Sequence, residues 1–337
     1  MNINFIILKN QQNIDNINKG NENLFQNIRE KDNFASMINN IKKLPINIYS
    51  SSKKSNIDIK YNNINEENNE NSDYLDYEQI NDENEYYFKF DKETNFGIKK
   101  WNDGSKFLGY FKDSLANGWG ILYNYDSEIF KAFFINNEVN GFGEYIHKNG
   151  YINIGYWEND LQIGIGYEIM GDSCNYFGEF KNGKKNGICR FVWSDNSSYE
   201  GEIKNNFFDG FGVYNYFDGR KYEGEWKMNH INGYGEMTWN EGNKYFGFYE
   251  NDKRNGFGMY YIPENKFIIG FWKNGKQEGY GKYIYEDKIK YGTWEKGNID
   301  KKNEMDEKAF FENLENNNNN FPFFKWDINQ LKLHFNL

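Results

Sequence analysis

Apolar and polar residues alternate in short runs along most of this chain, and turn residues separate the runs. From residue 222 to residue 245 the order is Tyr-Glu-Gly-Glu-Trp, a polar stretch, Gly-Tyr-Gly-Glu-Met-Thr-Trp, and a second polar stretch that contains glycine. Alternation places every second side chain on the same face of a β-strand. Aromatic residues favour that conformation, so two such runs joined by a turn predict a β-hairpin.

The hairpin pattern recurs with a period of 23 residues. The second glycine of the Gly-x-Gly element keeps this spacing across residues 97–281, and Cys189 takes one of its positions. The glycine of the Tyr-x-Gly element keeps it across residues 109–270, and Ala132 takes one position. A fixed period of this length indicates a repeat array. Because one hairpin is barely stable in water, we expect stacked hairpins to stabilise one another through nearest-neighbour contacts.

Asn-Gly and Asp-Gly pairs lie between the two runs of most units. They are Asn117-Gly118, Asn140-Gly141, Asn186-Gly187, Asp209-Gly210, Asn232-Gly233 and Asn255-Gly256. Such pairs adopt the positive φ values that tight turns require. We therefore predict that these pairs form the hairpin turns.

Glycine also has a packing role in the pattern. Tyr222, Gly224 and Trp226 lie on one face of the predicted strand. Because Gly224 has no side chain, a ring from a neighbouring repeat can lie across the gap and contact the backbone. Together with Gly233 and Gly235, these three residues are the structural positions that we predict for the repeat.

Tyr-x-Gly-x-Trp followed by Asn-Gly-Tyr-Gly resembles the MORN repeat (membrane occupation and recognition nexus). The resemblance covers residues 84–299 and departs from the pattern at Ala132, Cys189 and Ile203. With the periodicity, it predicts an all-β fold: an elongated single-layer antiparallel sheet of stacked 23-residue β-hairpins. Short helical or disordered segments are expected at both ends.

The resemblance also implies a function. It suggests a non-enzymatic scaffold or adaptor that binds cytoskeletal or cortical partner proteins on an aromatic β-sheet surface, at a membrane–cytoskeleton junction or a cell-division structure. An array without an enclosed pocket suits this role better than catalysis. Two alternatives remain open: a peripheral phosphoinositide-binding protein, and a regulatory module of a separate kinase or methyltransferase.

Three regions are expected. Residues 1–83 are Asn-rich and mostly disordered by composition, with a helix over residues 23–43 where apolar residues keep helical spacing. Residues 84–299 form the array, and residues 300–337 form a tail with a short capping helix.

The tail is too apolar to be left in water. We predict a helix from Asp327 that lays Ile328, Leu331 and Phe335 on the last hairpins. A short helix is also expected over residues 305–314. Because the array ends on a half repeat around Trp294, it leaves a sheet edge that predicts a homodimer through a terminal hairpin, unless residues after 299 cover that edge.

Composition limits the classes of partner that the protein is expected to bind. The formal net charge is −10, which argues against nucleic acid and weakens attraction to anionic lipid. Two cysteines make no disulfide framework, so a reducing, cytoplasmic location is expected. No stretch reaches the length of a membrane span, which limits any membrane contact to a peripheral one.

The sequence contains few candidate residues for catalysis, metal binding or nucleotide binding. The three histidines have no Cys or His partner at metal-ligand spacing. The Gly-x-Gly elements lead into strands, whereas a dinucleotide loop leads into a helix. We therefore predict no catalytic residue, no metal and no cofactor, and we expect that the protein is not an enzyme.

One face of the predicted sheet changes character along the array. The residues that flank the Tyr-x-Gly glycines are mainly apolar at first, then acidic, and then apolar again. The first apolar group is Leu108, Tyr110, Phe133 and Tyr156; the acidic group is Glu200, Glu202, Glu223 and Glu225; the last group is Phe246, Phe248, Ile269 and Phe271. The second strands add Phe257, Met259 and Tyr280 to the last group if they share its face. Exposed apolar patches mark binding sites, so both apolar groups are predicted to bind a partner or the tail.

Overall fold

The computed structural model describes residues 85–91, 94–286, 288–299, 304–316, 330 and 332–333. The chain divides into two compact units, residues 1–75 and 76–337, and every described residue belongs to the second. The helix predicted over residues 23–43 lies outside the described residues, as do Asp327, Ile328, Leu331 and Phe335 of the predicted tail helix.

The described strands form one antiparallel sheet of 20 strands, in which each strand pairs with the next along the chain. The strands are β1 (Glu85–Asp91), β2 (Phe96–Trp101), β3 (Lys106–Lys112), β4 (Leu115–Tyr123), β5 (Ile129–Ile135), β6 (Glu138–Ile146), β7 (Ile152–Glu158), β8 (Leu161–Met170), β9 (Cys174–Lys181), β10 (Lys184–Trp193), β11 (Ser198–Lys204), β12 (Phe207–Asn215), β13 (Lys221–Lys227), β14 (His230–Thr238), β15 (Lys244–Glu250), β16 (Lys253–Ile262), β17 (Lys266–Lys273), β18 (Lys276–Tyr285), β19 (Lys288–Glu295) and β20 (Asn298–Ile299). Helix α1 spans Glu307–Asn316. The prediction of an all-β array of stacked hairpins is confirmed.

The hairpin turns lie elsewhere than predicted. Strands β13 and β14 are joined by Met228 and Asn229, with φ of +48° and +69°. Two consecutive positive φ values are typical of the type I′ turn, whose twist matches that of the two strands. Equivalent pairs with positive φ are Asp113-Ser114, Asn136-Asn137, Asn159-Asp160, Asn182-Gly183, Asn205-Asn206, Asn251-Asp252 and Asn274-Gly275. Asparagine and aspartate dominate these pairs because they tolerate the left-handed conformation.

The Asn-Gly pairs form β-bulges instead. Gly224 pairs with Gly235 and Trp226 pairs with Ile231, so the single residue between Gly224 and Trp226 faces three residues of β14. Gly233 lies in this bulge with φ of +97°. The positive φ was predicted correctly, but the prediction of a turn was wrong, because a bulge requires the same backbone conformation.

In the repeats of Tyr199, Tyr222 and Tyr245, the core is a tyrosine ring that covers two glycines of its own hairpin. Tyr222 is 0% exposed. A Cβ atom at Gly224 would lie 2.5 Å from the Tyr222 hydroxyl oxygen, and the three atoms nearest to a Cβ at Gly235 all belong to Tyr222. The expectation that the ring comes from a neighbouring repeat is therefore wrong. The Tyr222 hydroxyl also donates a hydrogen bond to the Glu225 carbonyl oxygen, at 3.0 Å.

Asparagine and aspartate of the turns connect successive hairpins. The Phe208 N–H donates to the Asn229 side-chain oxygen at 2.7 Å, and the Asn229 N–H donates to the Phe208 carbonyl oxygen at 2.9 Å. The same pair of bonds joins Ala116 to Asn137, Val139 to Asp160, Lys185 to Asn206 and Ile231 to Asp252. These bonds run along one border of the sheet and fix each hairpin against the next.

Two repeats lack an aromatic ring at the tyrosine position and use glutamine instead. Asn153 and Ile268 occupy the tyrosine position. Gln162 is 2% exposed, and its amide nitrogen would lie 2.8 Å from a Cβ atom at Gly155. Gln277, at the equivalent position five repeats later, is 6% exposed and lies over Gly281. The buried amide therefore fills the space above the glycines where the ring is missing.

Candidate protein-binding faces

The two faces of the sheet have different roles. The tyrosine rings described above pack on one face, and by strand alternation the residue inside each Gly-x-Gly element points to the other, which we call the outer face. At each junction between repeats this residue pairs across strands with the residue after a Tyr-x-Gly glycine. Along the chain the pairs are Phe96–Tyr110, Trp119–Phe133, Phe142–Tyr156, Ile165–Glu179, Ile188–Glu202, Phe211–Glu225, Tyr234–Phe248 and Phe257–Phe271.

The acidic residues in the middle of the outer face make hydrogen bonds and an ion pair within the sheet. The Phe211 N–H donates to the Glu202 carboxylate at 3.0 Å, and the Tyr234 N–H donates to the Glu225 carboxylate at 3.3 Å. Each carboxylate thus accepts a hydrogen bond from a backbone N–H group beside a bulge glycine. Glu200 contacts Arg190 at 3.2 Å. These interactions give the acidic residues a structural role.

The C-terminal part of the outer face is covered by α1. Its apolar residues, which we call the C-terminal aromatic face, are Phe246, Phe257, Met259, Ile269, Phe271, Tyr280 and Tyr291. They form one cluster with Phe310 and Leu314 of α1, which are 0% and 1% exposed. The Phe310 ring lies 4.9 Å from the Tyr291 ring and 6.1 Å from the Tyr280 ring, measured between centroids.

Polar contacts orient α1 on this face. The Ala309 N–H donates to the Asp306 carboxylate at 2.8 Å, which caps the start of the helix. The Tyr291 hydroxyl donates to the Glu307 carboxylate at 2.8 Å. Burial and this bond raise the pKa of Tyr291, so the phenol stays a donor. Lys290 and Glu304 form an ion pair at 3.2 Å.

Among the described residues, α1 packs on the face that we predicted to receive the later tail helix, and the tail helix itself stays a prediction. The anchors are Phe310 and Leu314, whereas the predicted anchors Ile328, Leu331 and Phe335 lie outside the described residues. The segments at residues 305–314 and 327–335 have similar apolar patterns, and the sequence does not show which of them lies on the face. Phe248, also predicted here, remains 36% exposed.

The edge of the sheet beyond β19 is partly paired by the chain itself. Trp294 pairs with Ile299 of β20, and Tyr291 makes an isolated antiparallel bridge with Met305. The Met305 N–H donates to the Tyr291 carbonyl oxygen at 3.0 Å. This arrangement is the alternative that we set against pairing between two copies.

The N-terminal part of the outer face is more exposed. Phe133 is 47% exposed, Tyr156 is 48% exposed and Phe96 is 37% exposed. Tyr110 and Leu108 are half-buried. We call Phe96, Tyr110, Trp119, Phe133, Phe142 and Tyr156 the N-terminal aromatic face. The ring centroids of Phe96 and Tyr110 lie 5.3 Å apart, and those of Phe142 and Tyr156 lie 5.5 Å apart.

Three members of this face were not predicted from the sequence: Phe96, Trp119 and Phe142. Each stands immediately before the second glycine of a Gly-x-Gly element. That position always points to the outer face, since the glycines flanking it point to the other. The repeat pattern therefore contains the signal that places these three residues on the outer face.

The remaining candidate groups are buried or paired with neighbours. Cys174 and Cys189 are buried free thiols. Burial raises the pKa of Cys174 to about 11 and also raises the pKa of Cys189, so both are protonated at neutral pH. His230, the exposed first residue of β14, contacts the Asp252 carboxylate at 2.6 Å. Within the described ranges, no helix is long and apolar enough to cross a membrane.

Comparison with solved structures finds weak similarities. The TCP10 domain of Danio rerio CPAP, solved with a peptide of Danio rerio STIL, is 9% identical with a TM-score of 0.39, over 63% of this chain and 94% of that domain. The TCP domain of SAS-4 from Drosophila melanogaster, solved with a proline-rich motif of Ana2, is 13% identical with a TM-score of 0.27, over 53% and 90% of the two chains. Scores this low support no conclusion about function or partners. No curated protein matches the chain.

Comparison with protein families gives a direct assignment. The MORN repeat model matches residues 176–198, 199–219, 222–244, 245–265 and 269–289. These five matches are consecutive, and each contains the bulge described above. Cys189 takes the place of the second glycine in the first match. The 23-residue period continues on the N-terminal side of the matches, where strands β2 to β8 keep the same pairing. The chain therefore contains five consecutive MORN repeats over residues 176–289.

Proposed function

We propose that this protein is a non-enzymatic scaffold that binds partner proteins through the N-terminal aromatic face. The observation that carries the proposal is a difference between two equivalent surfaces. Phe257 and Phe271 on the C-terminal aromatic face lie in the cluster covered by α1. At the same repeat positions, Trp119 is half-buried and Phe133 is 47% exposed. Exposed aromatic clusters mark binding surfaces on soluble domains.

The sheet holds this face in a fixed geometry. Cross-strand pairing sets the positions of Trp119 and Phe133, and the hydrogen bonds of Asn137 and Asp160 fix the neighbouring hairpins. A preorganised surface binds with less loss of conformational entropy than a flexible one. The face can therefore present several aromatic anchors to one partner, which is the usual source of binding energy in protein interfaces.

A comparison of variants tests this function. The tagged protein is purified from its own cells beside a double variant, Phe133→Ser with Tyr156→Ser, and the co-purified proteins are quantified by mass spectrometry. The control is Phe217→Ser, because Phe217 is 72% exposed but lies in a turn outside this face. We expect a defined set of proteins to be lost from the double variant and kept by the control. Equal recovery from all three would contradict the proposal.

The cellular setting is part of the proposal and is supported only by the family. We propose cytoskeletal or cortical partners in the cytoplasm, at a membrane–cytoskeleton junction or a cell-division structure. There are two alternatives: direct phosphoinositide binding, and a role as a regulatory module of a separate kinase or methyltransferase. The net charge of −10 counts against the lipid alternative. Flotation with phosphoinositide vesicles tests it, since recovery with vesicles at physiological salt would favour it.

Homodimerisation is a further part of the proposal. The pairing of β19 with β20 and Met305 leaves less of that edge for a second copy. We therefore propose that a dimer, if formed through this terminal hairpin, requires residues after 299 to move. Light scattering on residues 84–337 and 84–300 tests this: we expect more dimer for the shorter chain, and equal masses would contradict it.

A further inference from the structure

We propose that the N-terminal aromatic face receives an amphipathic α-helix of a partner, with bulky apolar residues four positions apart. This inference rests on the proposed function and specifies the chemistry of the partner. It follows from the repeat, which builds the same surface twice, and from α1, which occupies one of the two copies.

The two faces correspond position by position, six repeats apart. Leu108, Trp119, Ile121, Phe133 and Phe142 stand where Phe246, Phe257, Met259, Phe271 and Tyr280 stand on the C-terminal aromatic face. The backbone geometry is shared as well, because Gly120 pairs with Ala132 as Gly258 pairs with Gly270. A surface with the same strand pairing and similar apolar residues is expected to accept a ligand of the same type.

The helix α1 shows which ligand that is. Phe310 and Leu314 are four residues apart and therefore lie on one side of the helix. Both are fully buried against the sheet, and Phe310 contacts the rings of Tyr280 and Tyr291. Recognition through apolar residues at this spacing is typical of a helix bound to an apolar surface.

The centre of the N-terminal face is more polar than its C-terminal counterpart. Lys131 and Glu144 form an ion pair at 3.0 Å, with 37% and 31% of their side chains exposed. They stand where Ile269 and Lys282 stand on the C-terminal face, and both of those are buried. We therefore expect the partner helix to place a small or polar residue over this pair. The two faces should therefore prefer different residues at this position of the bound helix.

A peptide of this chain's own α1 is a suitable probe. Residues 304–316 are synthesised with a fluorescent label and titrated with the full-length protein, and binding is followed by fluorescence polarisation. We expect saturable binding that is lost with the double variant Phe133→Ser and Tyr156→Ser and kept by Phe217→Ser. Circular dichroism of each protein variant shows whether the sheet is intact.

Two peptide variants separate helix recognition from simple hydrophobic contact. The variant Phe310→Ser with Leu314→Ser removes the anchors. The variant Glu312→Pro keeps the anchors and breaks the helix, so we expect at least about tenfold weaker binding. Binding that survives Glu312→Pro, binding that survives the Phe133 and Tyr156 double variant, or no binding at millimolar protein would each overturn the inference. If none of the peptides binds while the same double variant loses its cellular partners, the proposed function stands and the helix inference fails.

Discussion

The ring of Tyr222 lies on the backbone of Gly235 in the partner strand of its own hairpin, and the three atoms nearest to a Cβ at Gly235 all belong to that ring. The same arrangement recurs with Tyr199 over Gly212 and Tyr245 over Gly258. Each hairpin therefore carries its own core, and neighbouring hairpins are joined by ring contacts and turn hydrogen bonds.

This relationship predicts a specific energetic coupling. Gly235→Ala should lower the free energy of unfolding by about 1–3 kcal/mol, because the added methyl group displaces the ring. In a Tyr222→Ala background the same change should cost much less, since the ring is gone. Thermal or urea unfolding of the four proteins measures the coupling. Equal costs in both backgrounds would mean that another residue limits the space at Gly235.

Gly224→Val tests the backbone contact of the same hairpin. A Cβ at Gly224 would lie 2.5 Å from the Tyr234 carbonyl oxygen, which cannot move without breaking the strand pairing. We expect a loss at the upper end of about 1–3 kcal/mol or larger. The matched control is Glu223→Val, next in sequence and on the outer face. A melting temperature of Gly224→Val equal to that of the control would contradict this account.

The turn hydrogen bonds predict a stabilising substitution. Gly183 occupies the position of Asn206 and Asn229, and its φ of +71° suits asparagine. Gly183→Asn should add a bond from the Gln162 N–H to the new side chain and raise the free energy of unfolding by about 0.5–1.5 kcal/mol. Asn229→Gly should lower it by a similar amount. Opposite signs in urea unfolding are the expected result, and two changes of the same sign would argue against the bond.

Glu236 predicts a pH dependence. Burial raises the pKa of this carboxyl above its ordinary value. Because the folded state then binds the proton more tightly than the unfolded state, the ionised form lowers stability, and this penalty disappears as pH falls below the unfolded pKa of about 4.3. Glu236→Gln should therefore raise the melting temperature at neutral pH and have little effect in acid.

The exposed Glu241 supplies the control for this measurement. Glu241→Gln should shift the melting temperature little at any pH. An effect of Glu236→Gln that grows as the pH falls would show that the charged form of Glu236 is stabilised in the fold.

Because α1 packs on the C-terminal aromatic face through Leu314, truncating this side chain should loosen the helix. Leu314→Ala should cost about 2–5 kcal/mol in the local stability of α1, because Leu314 is 1% exposed. Hydrogen exchange in residues 304–316 should increase. Leu333→Ala serves as control, since Leu333 is 79% exposed. Unchanged exchange in the Leu314 variant would mean that α1 is held mainly by other contacts.

The repeat register predicted the fold because a 23-residue period leaves few ways to bury the rings. Two features required the structure. Positive φ at Gly233 was predictable, but a turn and a bulge need the same backbone, so the sequence did not distinguish Met228-Asn229 from Asn232-Gly233 as the turn. Gln162 gave no signal, because its role depends on a ring that is missing at residue 153.

The candidate site was predictable in part. Alternation placed Phe133 and Tyr156 on the outer face, whereas their exposure depends on what covers each part of the sheet. The identity of the cover at the C-terminal end follows from tertiary packing of Phe310 and Leu314. An apolar pattern alone does not say where a helix lies.

The central claim is that one aromatic face is filled by the chain and its repeat-equivalent is open to partners. Photo-crosslinking in cells tests it most directly, with a photoreactive phenylalanine analogue placed at Phe271 or at Phe133. We predict that the probe at residue 271 links to residues 304–316 of the same chain and that the probe at residue 133 links to other proteins. A probe at residue 133 that links only within the chain, while the probe at residue 271 captures other proteins, would contradict the account.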